Sequence, residues 1–304
     1  MTVRIATRGS DLALAQANAI AERIQGELDR PTELVVIRTT GDRIQHQSLA
    51  KIGGKGLFVK EIEEALLDGR ADVAVHSAKD LPVAIAPGCV LAAFPERADP
   101  RDALVAAATG ATLVSLPDGA RVGTGSTRRA AQLRALRPDL EIVPLRGNVP
   151  TRIRKLASER LDAVILACAG LDRLGLADHV RERIAARQML PAVCQGTLAL
   201  ETREDDALRG ELAKLEDAEA ALAATAERAF LLRIGGDCTT PVAAFAECTD
   251  GGELRLRALL ASEDGRTLAR AEASGGDAAA LGVLVAERVL NDGGSQILAA
   301  LAAQ

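Results

Sequence analysis

Residues 234–242 read Ile-Gly-Gly-Asp-Cys-Thr-Thr-Pro-Val, which sets a thiol, Cys238, behind two glycines and an aspartate. Glycine and proline at that density mark a loop rather than a core element. By composition alone the plainer reading is an idle thiol, because reactivity requires a setting that favours the thiolate. The chain has five cysteines (Cys89, Cys168, Cys194, Cys238 and Cys248), an odd number with no Cys-x-x-Cys pair, and three histidines far apart. Neither a disulfide framework nor a zinc site is indicated, and no metal is expected.

The acidic candidate is Asp80, in Asp-Val-Ala-Val-His-Ser-Ala-Lys-Asp-Leu-Pro (72–82), where it follows Lys79 at the end of an apolar strand. Turn aspartates beside a lysine are routine. In a cationic cleft, however, such a carboxylate stabilises a developing cation or moves a proton. His76, on the same strand, reads as core by default.

Basic and hydroxyl residues recur where strands give way to helices. Arg8 and Ser10 lie in one such junction, and Thr124, Ser126, Thr127, Arg128 and Arg129 in a second. Arg146, Arg152 and Arg154 lie in a third, and Arg173 in a fourth. Helix N-termini present unpaired N–H groups to anions, and arginine adds a bidentate grip. The net charge of −5 is unevenly spread: residues 97–196 hold 16 Lys and Arg against 10 Asp and Glu. Four junctions of this kind point to a ligand with several negative groups. Gly-Gly-Lys-Gly (53–56) lacks P-loop spacing and Gly-Thr-Gly-Ser-Thr-Arg lacks the third glycine of a dinucleotide fingerprint, which disfavours nucleotides. With no Trp, no Tyr and four Phe, there are no aromatic platforms for stacking nucleic-acid bases, and no nucleic-acid partner is expected.

The elements that must hold these residues read as α/β. Val3–Thr7, which precedes helical periodicity, Glu33–Thr40 and Ala71–Ser77 are strand patterns, and Ala120–Ser126, Leu140–Gly147 and Leu161–Gly170 are strand patterns each followed by a helical stretch. Beyond about residue 215 a strong helix precedes strands linked by Thr-Asp-Gly-Gly and Glu-Asp-Gly-Arg, which are hairpin signals. Proline-bearing segments at 94–102 and 188–198 read as chain crossings. The expected fold is therefore two α/β lobes, with mixed, mostly parallel sheets, and a small α+β C-terminal domain. The expected bounds are 1–96 with 197–215 for the first lobe, 97–196 for the basic second lobe and 216–304 for the third domain. The polar stretch near 42–57 reads as a flap over a cleft. No apolar run reaches bilayer length and the N-terminus is not a secretory signal. The expectation is a cytoplasmic protein with reduced cysteines and no membrane partner.

Taken together, Arg-Ile-Ala-Thr-Arg-Gly-Ser-Asp-Leu (4–12), Gly-Gly-Lys-Gly-Leu-Phe (53–58), Val-His-Ser-Ala-Lys-Asp-Leu-Pro (75–82), Leu-Arg-Gly-Asn-Val-Pro-Thr-Arg (145–152) and Gly-Gly-Asp-Cys-Thr-Thr-Pro-Val (235–242) resemble the porphobilinogen deaminase family. The resemblance runs along nearly the whole chain, and it implies two periplasmic-binding-protein-like lobes and a third domain. It implies a monomeric transferase that joins four porphobilinogen molecules head to tail, with loss of ammonia, into hydroxymethylbilane. A covalent dipyrromethane cofactor is implied on Cys238 through a thioether. Ser77, Lys79, Asp80, Thr124, Ser126, Arg128, Arg129, Arg146 and Gly147 match cofactor-binding positions. Arg8, Ser10, Lys55, Arg146, Arg152, Arg173 and Gln195 match substrate-binding positions. Asp80 matches the catalytic carboxylate: loss of ammonia leaves a cationic azafulvene, and a nearby anion lowers that barrier. Each ring of the growing chain carries an acetate and a propionate, which accounts for the arginines better than a phosphate does.

Two positions depart from the family pattern. Gly125 stands where a second serine is usual, and Cys194 where glycine is usual. The competing reading is a non-catalytic, two-lobed protein that binds small anions; it explains the arginines but not Cys238 or the third domain.

Overall fold

The computed structural model describes residues 1–39, 59–235, 240–249 and 251–303. They divide into two compact units, Met1–Ala98 with Gly196–Ala221 and Asp99–Gln195 with Leu222–Gln304.

The first unit opens with β1 (Val3–Arg8) and α1 (Asp11–Leu28). Val3 and Ile5 alternate toward Ala17, Ile20, Ala21 and Ile24, which recur at helical spacing along α1. Ser10 caps α1 by accepting a hydrogen bond from the Ala13 N–H at 3.3 Å. β2 (Thr32–Ile37), α2 (Lys60–Leu67), β3 (Val73–Ser77) and β4 (Cys89–Ala93) follow. On the opposite sheet face Ala6 and Ala74 pack against Ile62, Ala65 and Leu66 of α2. The sheet is thus covered on both sides. Each fully buried Ile or Leu contributes roughly 1.5–3 kcal/mol, so an aliphatic core supports the fold without many aromatics.

In the second unit the chain forms β5 (Asp102–Ala106), β6 (Arg121–Thr124), α3 (Thr127–Leu136) and β7 (Glu141–Pro144). It continues through α4 (Val149–Ser158), β8 (Ala163–Ala167), α5 (Cys168–Arg173) and β9 (Val180–Ile184). β10 (Leu198–Arg203) and α6 (Leu208–Leu212) then belong again to the first unit.

Both five-stranded sheets follow one plan. Their orders are β2-β1-β3-β10-β4 and β7-β6-β8-β5-β9. In each, the first three strands are parallel and the fourth runs against both of its neighbours. The opposed strand is, in each sheet, the first strand after a chain crossing. The expected pair of mixed, mostly parallel sheets is thus observed.

After α7 (Ala218–Ile234), capped by the Asp217 carboxylate on the Ala220 N–H at 2.8 Å, come β11 (Val242–Cys248), β12 (Leu254–Ala261) and β13 (Leu268–Gly275). They form an antiparallel sheet joined by the two hairpins that the sequence marks. α8 (Ala278–Val289) packs on β12 and β13, and α9 (Ser295–Ala302) follows. A Cβ at Gly282 of α8 would lie 2.4 Å from the Ala226 carbonyl oxygen of α7, so only glycine permits this helix approach. Among the described residues, no helix is long and apolar enough to cross a membrane.

Candidate active site

In the first unit the ends of β1 and β3 open onto a recess lined by Arg8, Ser10, Gln16, His76, Ser77 and Asp80, among others. Its geometry follows from the strand ends. β3 stops at Ser77, and Ala78–Asp80 form one 3-10 turn. That turn is anchored because the Ala78 N–H donates to the Thr197 carbonyl at 3.0 Å. The buried Gln16 amide of α1 donates to Ser77 Oγ at 2.9 Å, fixing the strand end from the other side. Asp80 and Lys79 are exposed, whereas Ser77 is half-buried.

His76, which lines the recess, has a buried carboxylate beside it. His76 Nε2 is 2.8 Å from Glu201 Oε2, and both side chains are buried. His76 is therefore not a bare core histidine; it has a carboxylate partner from β10. Burial pushes the Glu63 carboxyl up, against the pull of the Ala86 N–H, and Glu201 adds to the rise. Burial, with Glu201 and Glu63 nearby, pushes the Cys89 thiol up to about 11, so it is not a reactive thiolate.

In the second unit β6 ends at Thr124, whose buried Oγ1 accepts from the Ser126 N–H at 3.2 Å. Ser126 caps α3 by accepting from the Arg129 N–H at 3.4 Å. Arg128 and Arg129 turn inward and are 4% and 5% exposed. They converge on Asp102, a fully buried carboxylate that the sequence reading did not single out. Burial works to raise the Asp102 carboxyl, but the charges and hydrogen bonds of the two arginines outweigh it and hold it well below the usual carboxylate range. Gln195 is also buried and donates to the same carboxylate at 2.9 Å.

The third junction is more open. Arg146 and Gly147 are exposed, and Gly147 has a φ of +116°. Asn148 caps α4 on the Thr151 N–H at 3.0 Å, and the Arg152 Nε donates to the Gly147 carbonyl at 2.8 Å. Arg173, at the end of α5, is half-buried, and burial lowers its pKa. Thus Arg8, Ser10, Ser77 and Asp80 line one recess in the first unit. Thr124, Ser126, Arg128, Arg129 and Gln195 gather around the start of α3 in the second. Lys55, the expected flap at 42–57 and Cys238 lie outside the described residues. Among the described residues, no group of three or more His, Cys, Asp or Glu is arranged to hold a metal ion.

Of the two departures, Gly125 has a local reason and Cys194 has none in the structure. A Cβ at Gly125 would sit 2.4 Å from the Leu145 carbonyl oxygen, so this backbone leaves no room for a serine there. Cys194 is fully buried with a φ of +57°, the left-handed region that favours glycine. Its N–H donates to Glu227, whose other oxygen accepts from the Ala246 N–H at 2.8 Å.

The donor set suits a ligand rich in carboxylates. Arg128 Nε is buried and has no hydrogen-bond partner among the described residues, and hydroxyls and N–H groups surround the start of α3. Fold and loops together define an α/β protein with arginine- and hydroxyl-bearing strand ends, an acidic residue in one recess, and an antiparallel C-terminal sheet.

The chain belongs to the porphobilinogen deaminase family. Residues 3–210 match the model of the porphobilinogen deaminase dipyrromethane cofactor binding domain, and residues 221–291 that of the family's C-terminal domain. A protein named porphobilinogen deaminase from Syntrophus aciditrophicus is 54% identical over 300 residues, 97% of each chain. One of the same name from Roseiflexus is 52% identical over 302 residues, 98% of this chain and 99% of the other. Among solved structures, the periplasmic substrate-binding protein of an ABC transporter from Coxiella burnetii is 14% identical, with a TM-score of 0.43 over 74% of this chain and 96% of that one. A likeness that distant carries no weight beside the strand order itself.

Proposed function

We propose that this chain condenses four porphobilinogen molecules head to tail, releasing ammonia at each junction, into the linear tetrapyrrole hydroxymethylbilane. The observation that carries the reading is the family membership over nearly the full length, joined to a recess in which Asp80 stands beside Arg8 and Ser10. The residues fit a dipyrromethane cofactor: the arginines and hydroxyls of the second unit match its acetate and propionate groups in charge and donor type. When bound, that group supplies the pyrrole position to which the first substrate is joined.

In this reading Cys238 holds the cofactor through a thioether, formed as the thiol displaces ammonia from an aminomethyl group. Ser77, Lys79, Thr124, Ser126, Arg128, Arg129, Arg146 and Gly147 hold its carboxylates and backbone. Arg8, Ser10, Lys55, Arg146, Arg152 and Arg173 receive the substrate's carboxylates. Asp80 stabilises positive charge as ammonia leaves and assists proton transfers at the aminomethyl nitrogen and at the attacked ring carbon. The N-terminal 1–96 with 197–215, the middle 97–196 and the C-terminal 216–304 serve as three domains of a monomeric, cytoplasmic enzyme with no nucleic-acid partner. A cytoplasmic setting suits an odd number of cysteines without a disulfide pattern.

Intact mass tests the reading directly. Purified protein should exceed its sequence mass by two linked pyrrole units, and Cys238→Ala should lose the excess. Denatured wild type should titrate four thiols out of the chain's five cysteines. Active protein at bare sequence mass would sink the covalent cofactor. Incubation with porphobilinogen separates enzyme from anion-binding protein, since only the enzyme liberates ammonia and a tetrapyrrole.

A further inference from the structure

We infer that Asp102 is a positioning residue. Its buried carboxylate sets the guanidiniums of Arg128 and Arg129, and Gln195 ties that arrangement to the segments where the chain passes between its units. This inference rests on the functional reading above, in which the two arginines hold the cofactor.

Five hydrogen bonds converge on one carboxylate. Arg128 donates from Nη1 at 2.8 Å and Nη2 at 3.2 Å, Arg129 from Nε at 3.0 Å and Nη2 at 2.7 Å, and Gln195 from Nε2 at 2.9 Å. Each donor is also held at a second point. Arg128 Nη1 reaches the Leu190 carbonyl at 2.6 Å, Arg129 Nη1 the Ile165 carbonyl at 3.1 Å, and Gln195 Nε2 the Pro100 carbonyl at 2.7 Å. The guanidinium planes therefore have no freedom to rotate without breaking charged hydrogen bonds. Gln195 is 1% exposed and donates both amide hydrogens in this hub, which gives it a positioning role beside the substrate contact expected from the sequence.

Charge makes the hub more than a brace. Two guanidiniums face one carboxylate, which leaves a surplus positive charge buried at the first turn of α3. A purely structural site is filled at less cost by apolar groups. The surplus lies at the start of α3, where the helix dipole is also positive, an arrangement that a bound anion balances. The buried Arg128 Nε, without a partner among the described residues, is a donor awaiting an acceptor. The hub's placement in the chain matters equally. Asp102 opens β5 just after the first crossing, and Gln195 precedes the second. The arginines' orientation is thus dictated by the crossings and not by their own helix.

The test is Asp102→Asn, which keeps the shape and removes the charge. Thermal melting and circular dichroism establish folding, and intact mass gives the fraction of chains carrying the two-pyrrole excess. If Asp102 positions the arginines, that fraction falls about tenfold, the effect of losing hydrogen bonds to a charged group. If positive charge alone attracts the cofactor, loading is kept or rises, because the variant is more positive. Folded Asp102→Asn loaded like wild type overturns the inference. Should Asp102→Asn not fold, Gln195→Leu, which leaves both ion pairs, takes its place. Its loading is expected to fall about threefold through one lost charged hydrogen bond, and full loading overturns the inference. Bare wild-type mass instead overturns the functional reading itself, so the two failures are distinguishable.

Discussion

Asp80 presents its carboxylate at the end of a one-turn 3-10 helix, held by a backbone bond to Thr197 and by Ser77, which Gln16 grips. Because the turn is fixed by neighbours of Asp80, Asp80→Asn should leave the recess intact and still carry the cofactor. Turnover should fall by about a hundredfold or more, the usual contribution of a proton-handling or charge-stabilising group. Steady-state ammonia release beside intact mass checks this, and normal turnover would show the role to be wrong. Asp102 makes a different prediction. Its folded-state pKa is depressed, so its stabilisation is fully present above the unfolded carboxylate value near about 4 and is lost as the pH falls below it. Urea midpoints measured downward from neutral pH should drop across that window, and the drop should be shallower in Asp102→Asn. Local pattern exposes Arg128 and Arg129 as anion grips because they sit at a helix start. It is silent on Asp102, whose pairing spans 26 and 27 positions to the arginines and 93 to Gln195. An acidic residue leading directly into Ala-Leu-Val-Ala was the available signal.

At the scale of elements, the β6–α3 junction shows how a loop's backbone decides which side chains it accepts. The Leu145 carbonyl occupies the space a Cβ at Gly125 would need. Restoring the family's hydroxyl by Gly125→Ser should therefore cost stability, by roughly 1–3 kcal/mol as in other overpacked sites. Denaturant midpoints measure it, and an unchanged midpoint would mean the loop shifts at no cost. Strands followed by strongly periodic helices, such as β1 before α1, are legible because two periods confirm each other, whereas the strand reading of Leu161–Gly170 overruns β8 into the short helix α5, whose first three residues it takes as strand. β4, β5, β9 and β10 are not read in advance. β9 is Val-Arg-Glu-Arg-Ile, too charged to advertise itself, and β5 and β10 take their place from partners far along the chain. The His76–Glu201 pair was hidden for the same reason, since it depends on β10 lying beside β3.

For the molecule as a whole, the shared strand plan has an unequal consequence for synthesis. The second sheet draws all its strands from a single stretch, Asp102–Ile184, and is complete once that stretch exists. The first sheet is not: β10 lies between β3 and β4, and β4 has β10 as its strand neighbour. A nascent chain that has delivered β1 to β4 therefore carries an unfilled slot and a stranded edge until Arg203 has been made. Residues 1–98 alone should lack a cooperative unfolding transition, whereas the fragment 1–221 should show one by circular dichroism. Cooperative melting of the shorter fragment would refute this. The N-terminal part of the chain, though made first, completes its fold after the middle part, and meanwhile offers an open β-edge to chaperones or to misassembly with another copy.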